Sequence, residues 1–206
     1  MASPDARTRV AALGALERTH GLDPAMLHAA LHDPAPSVVA RATELAAQAF
    51  RGHHEIDIAV LQLLRNDNAD LVEVAAWALG ERHGTDDGPA DLGSVAVEGA
   101  ADEGAADDVE GRSAHNAATD VVHGLSHCAT SHGDALCREA AVAALGSIGD
   151  PRGKQAVLCA TTDKATVRRR AVIALAAFSG ADVIAALDAA LTDRDWQVRQ
   201  AAEDLR

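Results

Sequence analysis

The sequence is poor in rings. Its 206 residues include no tyrosine, two phenylalanines (Phe50, Phe178) and two tryptophans (Trp77, Trp196), so aromatics make up 2% of the chain. Sheets draw on aromatic and β-branched residues, and single-stranded nucleic acid needs stacking rings. Both readings are disfavoured. Lysine occurs only at Lys154 and Lys164, and the formal net charge is −13, which argues against a general polyanion binder. The three cysteines, Cys128, Cys137 and Cys159, are odd in number and lack CxxC spacing, so they form no disulfide framework. Reduced thiols, and with them a cytoplasmic setting, are expected. Long apolar runs are missing too. Val10–Leu13 is soon broken by Glu17 and Arg18, so neither a signal peptide nor a membrane span is predicted. No GxSxG, GxxxxGK[ST] or strand-to-helix GxGxxG is present. The chain therefore offers no catalytic residues and no cofactor motif, and a non-enzymatic role is expected.

What the chain does have is alanine, 48 residues of it, within a hydrophobic fraction of 48%. Alanine is the best helix former and a weak strand former. Charge is also concentrated. Residues 85–111 carry nine acids and no base, together with five of the 16 glycines. Nothing there sustains a helical or strand period. A flexible acidic insert is predicted at 85–112, between an N-terminal part, 1–84, and a C-terminal part, 113–206, of one continuous domain. Removing 85–111 leaves −4 for the remaining 179 residues, and 137–206 is mildly basic, with ten bases and nine acids.

The strongest signal is a repeat. Cys137-Arg138…Ala141…Leu145-Gly146, Val167-Arg168…Ala171…Leu175 and Val198-Arg199…Ala202 share one pattern. Offsets of 0, 4 and 8 fall on one helical face, so each block is a helix with a narrow apolar stripe. Leu71, Ala75 and Leu79-Gly80 fit the pattern, Val38 and Ala42 fit its first half, and Val10–Gly14 matches Val142–Gly146 residue for residue. The starts, near 5, 38, 71, 137, 167 and 198, are spaced by 33, 33, 66, 30 and 31. The doubled interval holds the insert. Asp33, Asp67, Asp163 and Asp193 precede the starts and are N-cap candidates. Shorter apolar helices are predicted between, at Pro24–Leu31, Glu55–Leu64, Arg152–Ala160 and Ala181–Leu191. Each unit is thus a helical hairpin that buries its face only by stacking on its neighbours.

This pattern resembles the HEAT-repeat family, in particular its short bacterial, phycobilisome-lyase-like form, over about 175 of the 206 residues. The motif Asp…Val-Arg…Ala…Leu is carried best by Asp163…Val167-Arg168…Ala171…Leu175 and by Asp193…Val198-Arg199…Ala202. Val39 stands where arginine is expected, and in the third copy Glu73 or Val72 does the same. The resemblance implies an all-α, right-handed α-solenoid of about five to six HEAT-like helical hairpins. It also implies that the motif Asp and Arg form a ladder between repeats, which covers Arg168 and Arg199.

Such stacks present a long concave surface made by the second helix of each pair. A protein-interaction, scaffold or adaptor module is the expected function. Its partner is another protein, bound through an acidic segment at Arg138, Arg169, Arg170 and Trp196. Arg169 and Arg170 are not required by the motif, and Trp is frequent at binding hot spots. The acidic insert would compete for this stripe, so deleting 85–111 should raise affinity. Trp77, within the apolar run Val74–Leu79, is expected in the core. The alternative is a lyase-like or metal-binding accessory factor. His123-x-x-x-His127 puts two imidazoles on one helical face, with His115, Cys128 and His132 nearby, although HExxH is absent. Nucleic-acid binding is the least favoured reading.

Overall fold

The computed structural model describes residues 3–84 and 108–206. Among these residues there are eleven α-helices and no strand: α1 (Ala6–Arg18), α2 (Pro24–Leu31), α3 (Pro36–Ala46), α4 (His54–Leu63), α5 (Ala69–His83), α6 (Asp108–Ser131), α7 (Ala135–Ile148), α8 (Lys154–Ala160), α9 (Ala165–Ala174), α10 (Ala181–Ala190) and α11 (Trp196–Asp204). Single 3₁₀ turns at Pro151–Gly153 and Leu175–Ala177 lead into α8 and end α9. No helix among the described residues is long and apolar enough to cross a membrane.

The helices stack in two rows. α2, α4, α6 and α8 pack in series as a first row, and α1, α3, α5, α7, α9 and α11 as a second row. Each second-row member α3, α5, α7, α9 and α11 also packs on the helix before it, which makes five hairpins plus the leading α1. The predicted starts fall on α1, α3, α5, α7, α9 and α11. The stripe at offsets 0, 4 and 8 is the core: Cys137, Ala141 and Leu145 on α7 are buried, as are Val167, Ala171 and Leu175 along α9 and its 3₁₀ extension. The small second core, Val172, Ala190, Val198, Ala201 and Ala202, closes the C-terminal hairpin.

Among the described residues, no additional repeat separates α5 from α7. α5 packs directly on α7, and α6 fills the first-helix place between α4 and α8. The extra length therefore lies in the connection from α5 to α6. Most of the predicted insert, 85–107, is outside the described residues, but the backbone is already helical from Asp108.

The stacking is close because small residues face one another. A Cβ on Gly80 of α5 would meet the Ala144 Cα of α7 at 2.9 Å, and one on Gly146 of α7 would meet the Ala174 Cβ of α9 at 2.7 Å. The Leu-Gly ending of the repeat thus has a packing cause, which also explains part of the alanine excess. α7 stops at Gly149, whose φ of 66° closes the helix in the left-handed region.

Candidate functional site

Several charged side chains are used inside the stack itself. Arg138 donates from Nε and Nη2 to the two oxygens of Asp163, at 2.6 and 2.7 Å, and from Nη1 to the His132 carbonyl at 2.7 Å. Arg168 makes the same fork to Asp193, at 2.9 and 2.7 Å, and reaches the Asp163 carbonyl. Arg9 does so with Asp33, at 2.8 and 2.7 Å, and with the Ser3 and Pro4 carbonyls. Each arginine ties the turn before its own helix to the turn before the next second-row helix. The bidentate geometry makes these strong charge-assisted bonds. The hydrogen bond from Arg9 holds the Asp33 carboxyl below the usual range, and Arg138 and Arg168 do the same for Asp163 and Asp193.

Arg138 is therefore committed to the ladder, with its side chain 13% exposed. Among the described residues, Arg199 holds only its own turn, through the Asp193 carbonyl at 2.7 Å. Asp33, Asp163 and Asp193 are ladder acceptors rather than N-caps. The capping side chains are Asp5, Asp23, Asn68, Asp134 and Asp195. On α3 the arginine position of the ladder is held by Val39, so among the described residues no ladder arginine reaches Asp67.

Where the ladder lapses, another device takes over. Arg82, near the C-terminal end of α5, donates from Nε to Asp57 of α4 at 2.6 Å. It also donates to the carbonyls of Ala46, Ala49 and Phe50 at the end of α3. Phe50 sits there in the left-handed region, with φ 54°. Burial opposes charge on Asp57, but His83 and Arg82 outweigh it, and the carboxyl stays below its ordinary range. Arg82 has no counterpart in the other repeats, so no periodic signal could find it.

What remains is the open face of the second-row helices, which carries a run of clefts. The largest, about 860 Å³, lies across α1, α3 and α5, with Glu17, Arg41, Glu44, Glu73, Val74 and Trp77 among its walls. Glu73 and Trp77 also line the next cleft, about 360 Å³, between α5 and α7, with Glu81, Leu136, Glu139 and Arg170. The last, about 320 Å³, lies between α9 and α11 and is lined by Arg169, Ile173, Trp196, Gln197, Gln200 and Leu205 among others. Of the eight exposed large apolar side chains among the described residues, five (Trp77, Leu136, Ile173, Trp196 and Leu205) line these clefts.

Trp77 corrects the expectation of a core residue. It is 44% exposed. The apolar run around it hides the fact that Trp77 lies five residues after the arginine-equivalent Val72, the offset occupied by exposed Ile173 on α9 and exposed Glu44 on α3. Trp196 is 65% exposed at the first turn of α11, beside Arg169 in the same cleft. Arg170 lies in the neighbouring cleft, 3.5 Å from Glu139.

The histidine set is less convergent. His123 and His127 are exposed on α6, whereas Cys128 is buried, with its Sγ 3.7 Å from the Cys137 carbonyl. His132 Nδ1 accepts from the Asp134 N–H. No group of three potential metal ligands occurs among the described residues. His115 lies outside the residues whose side chains are described.

Comparison with known proteins places this geometry. Residues 122–205 match the HEAT repeats family. No curated protein matches the sequence. Among solved structures, a designed armadillo repeat protein superposes with a TM-score of 0.61 at 15% identity, covering 99% of this chain and 94% of that one. A second designed armadillo repeat protein, solved in complex with the peptide (KR)4, gives 0.59 at 14% identity, over 94% and 83%. The Escherichia coli protein YibA gives 0.60 at 16% identity, and this chain, of which 93% is covered, spans 60% of that structure. At these identities the likeness speaks for the fold alone. The chain is an α-solenoid of helical hairpins whose C-terminal part, 122–205, matches HEAT repeats.

Proposed function

We propose that the chain is a non-enzymatic scaffold or adaptor module that grips a partner protein along the open face of α1, α3, α5, α7, α9 and α11. The observation that carries this reading is the concentration of exposed apolar side chains in one run of clefts. Large apolar residues left open in a concave, polar-rimmed surface mark a binding site rather than a solvated face. The neighbouring fold solved with a peptide is an instance of a related stack used in this way.

Within that surface, the end formed by α9 and α11 suits an acidic segment of the partner. Arg169 is exposed and makes no ion pair among the described residues, and Trp196 stands open beside it. Arg170, next to it in sequence, lies in the neighbouring cleft and pairs with Glu139 at 3.5 Å. Arg138 drops out of this set because its guanidinium is held by Asp163.

Affinity capture from native extract tests the reading. The wild-type chain should retain a protein that is lost with Trp77→Ala and with Arg169→Glu/Arg170→Glu, while Met26→Ala on α2 leaves capture intact. Retention by all variants would contradict the assignment of this face.

A further inference from the structure

The groove also carries a site of opposite sign. On α5, Glu73, Trp77 and Glu81 follow one another at four-residue intervals, so they form a single line along one helical face. All three line the clefts described above, and Trp77 is shared by both. The two clefts together hold five carboxylates (Glu17, Glu44, Glu73, Glu81 and Glu139) against two arginines. Both arginines are already answered: Arg41 by Glu44 at 2.8 Å and Arg170 by Glu139 at 3.5 Å. Among the described residues, Glu17, Glu73 and Glu81 have no hydrogen-bonding or ionic partner for their carboxylates.

An open indole between two unpaired carboxylates is a receptor for an organic cation. The face of the ring attracts a guanidinium or ammonium, and the carboxylates on either side accept its N–H groups. Arginine fits better than lysine, because its planar fork both stacks and pairs. The clefts run across successive helices about 10 Å apart, so an occupant that uses both must extend across the helix row. An extended chain does this in roughly six residues at ~3.3 Å each.

We infer that the α3–α7 part of the groove binds an extended, arginine-rich segment of the partner protein, with one guanidinium seated on Trp77 between Glu73 and Glu81. This rests on the reading of the groove as a protein-binding face and names the partner chemistry for its larger part. The partner is then polar in sequence: a basic stretch lies over α5, and an acidic one lies toward Arg169.

The chain carries its own probe. It has two tryptophans and no tyrosine, so in the full-length Trp196→Phe protein Trp77 is the only indole. Ten-residue peptides alternating Arg with Ala, Lys with Ala, and Glu with Ala are titrated while its fluorescence is followed. The Arg peptide should give a saturable change, bind several-fold more tightly than the Lys peptide, and lose at least tenfold in affinity with Glu73→Gln/Glu81→Gln. The charge-matched control Glu55→Gln/Glu203→Gln, away from the groove, should change affinity less than twofold. No saturable response, a response equal with the Glu peptide, or equal losses in the two double variants would overturn the inference. If the Arg peptide fails while natural-partner capture still depends on Trp77 and Arg169, the binding face stands and only the cation site falls.

Discussion

At the residue scale, the arginines divide into those that hold the stack and those that face outward. Arg9, Arg138 and Arg168 each spend their fork on an aspartate of the next turn and a carbonyl of their own. The paired aspartates keep their charge to lower pH than they would in the unfolded chain, whose carboxyls titrate near 3.8. As pH falls toward and through that value, the unfolded state takes up protons first, so stability fully present above it is progressively lost. Denaturant unfolding followed between pH 6 and pH 3 should show the midpoint falling below about pH 4.5. In Asp163→Asn/Asp193→Asn the protein should be less stable at pH 6 and the slope shallower. The Arg82 clamp is more deeply buried, with its side chain 1% exposed. Arg82→Ala leaves Asp57 charged in the interior and three carbonyls without their donor. A loss of about 3–5 kcal/mol is expected in chemical denaturation. Arg152→Ala, at an exposed pair with Asp150, should cost under about 1 kcal/mol.

At the element scale, the decisive feature is how closely neighbouring second-row helices approach. Gly146→Ala improves intrinsic helix propensity by about 1 kcal/mol, but its Cβ would fall 2.9 Å from the Ala174 Cα, where backbone must move. A net loss of about 1–2 kcal/mol is expected in thermal or urea unfolding. Gly14→Ala should be neutral or stabilising, because its Cβ would meet only the mobile Arg18 and Arg41 guanidinium ends, at 3.3 and 3.9 Å. The contrast bears on what the sequence discloses. Val10–Gly14 and Val142–Gly146 are identical strings, yet the ladder equivalence of Arg9 with Arg138 puts them three residues out of phase. That shift is nearly one helical turn, so the apolar stripe survives it and the string match cannot detect it. It also hides Arg9 from any motif alignment. Helix order, pairing and most boundaries were legible because burial repeats along the chain. Trp77, Arg82 and the true N-caps were not, because which side of a helix faces the groove, and what a lone arginine reaches, depend on neighbouring repeats.

At the scale of the whole molecule, the net charge of −13 describes the binding face poorly. Much of it belongs to the connection between α5 and α6. The groove itself has an acidic, Trp77-centred part over α3–α7 and an arginine-bearing part at α9–α11. Local fields of opposite sign along one surface set the register of a bound chain more than its total affinity. The remaining exposed apolar residues offer an internal control, since Met26, Ile58 and Ile184, on α2, α4 and α10, line none of the groove's clefts. Side-chain methyl and indole NMR of the intact chain, titrated with the partner obtained by capture, tests the central claim most directly. Perturbations should concentrate at Trp77, Leu136, Ile173 and Trp196 while Met26, Ile58 and Ile184 stay unmoved. Perturbations centred on Met26, Ile58 and Ile184, with both indoles unchanged, would contradict it.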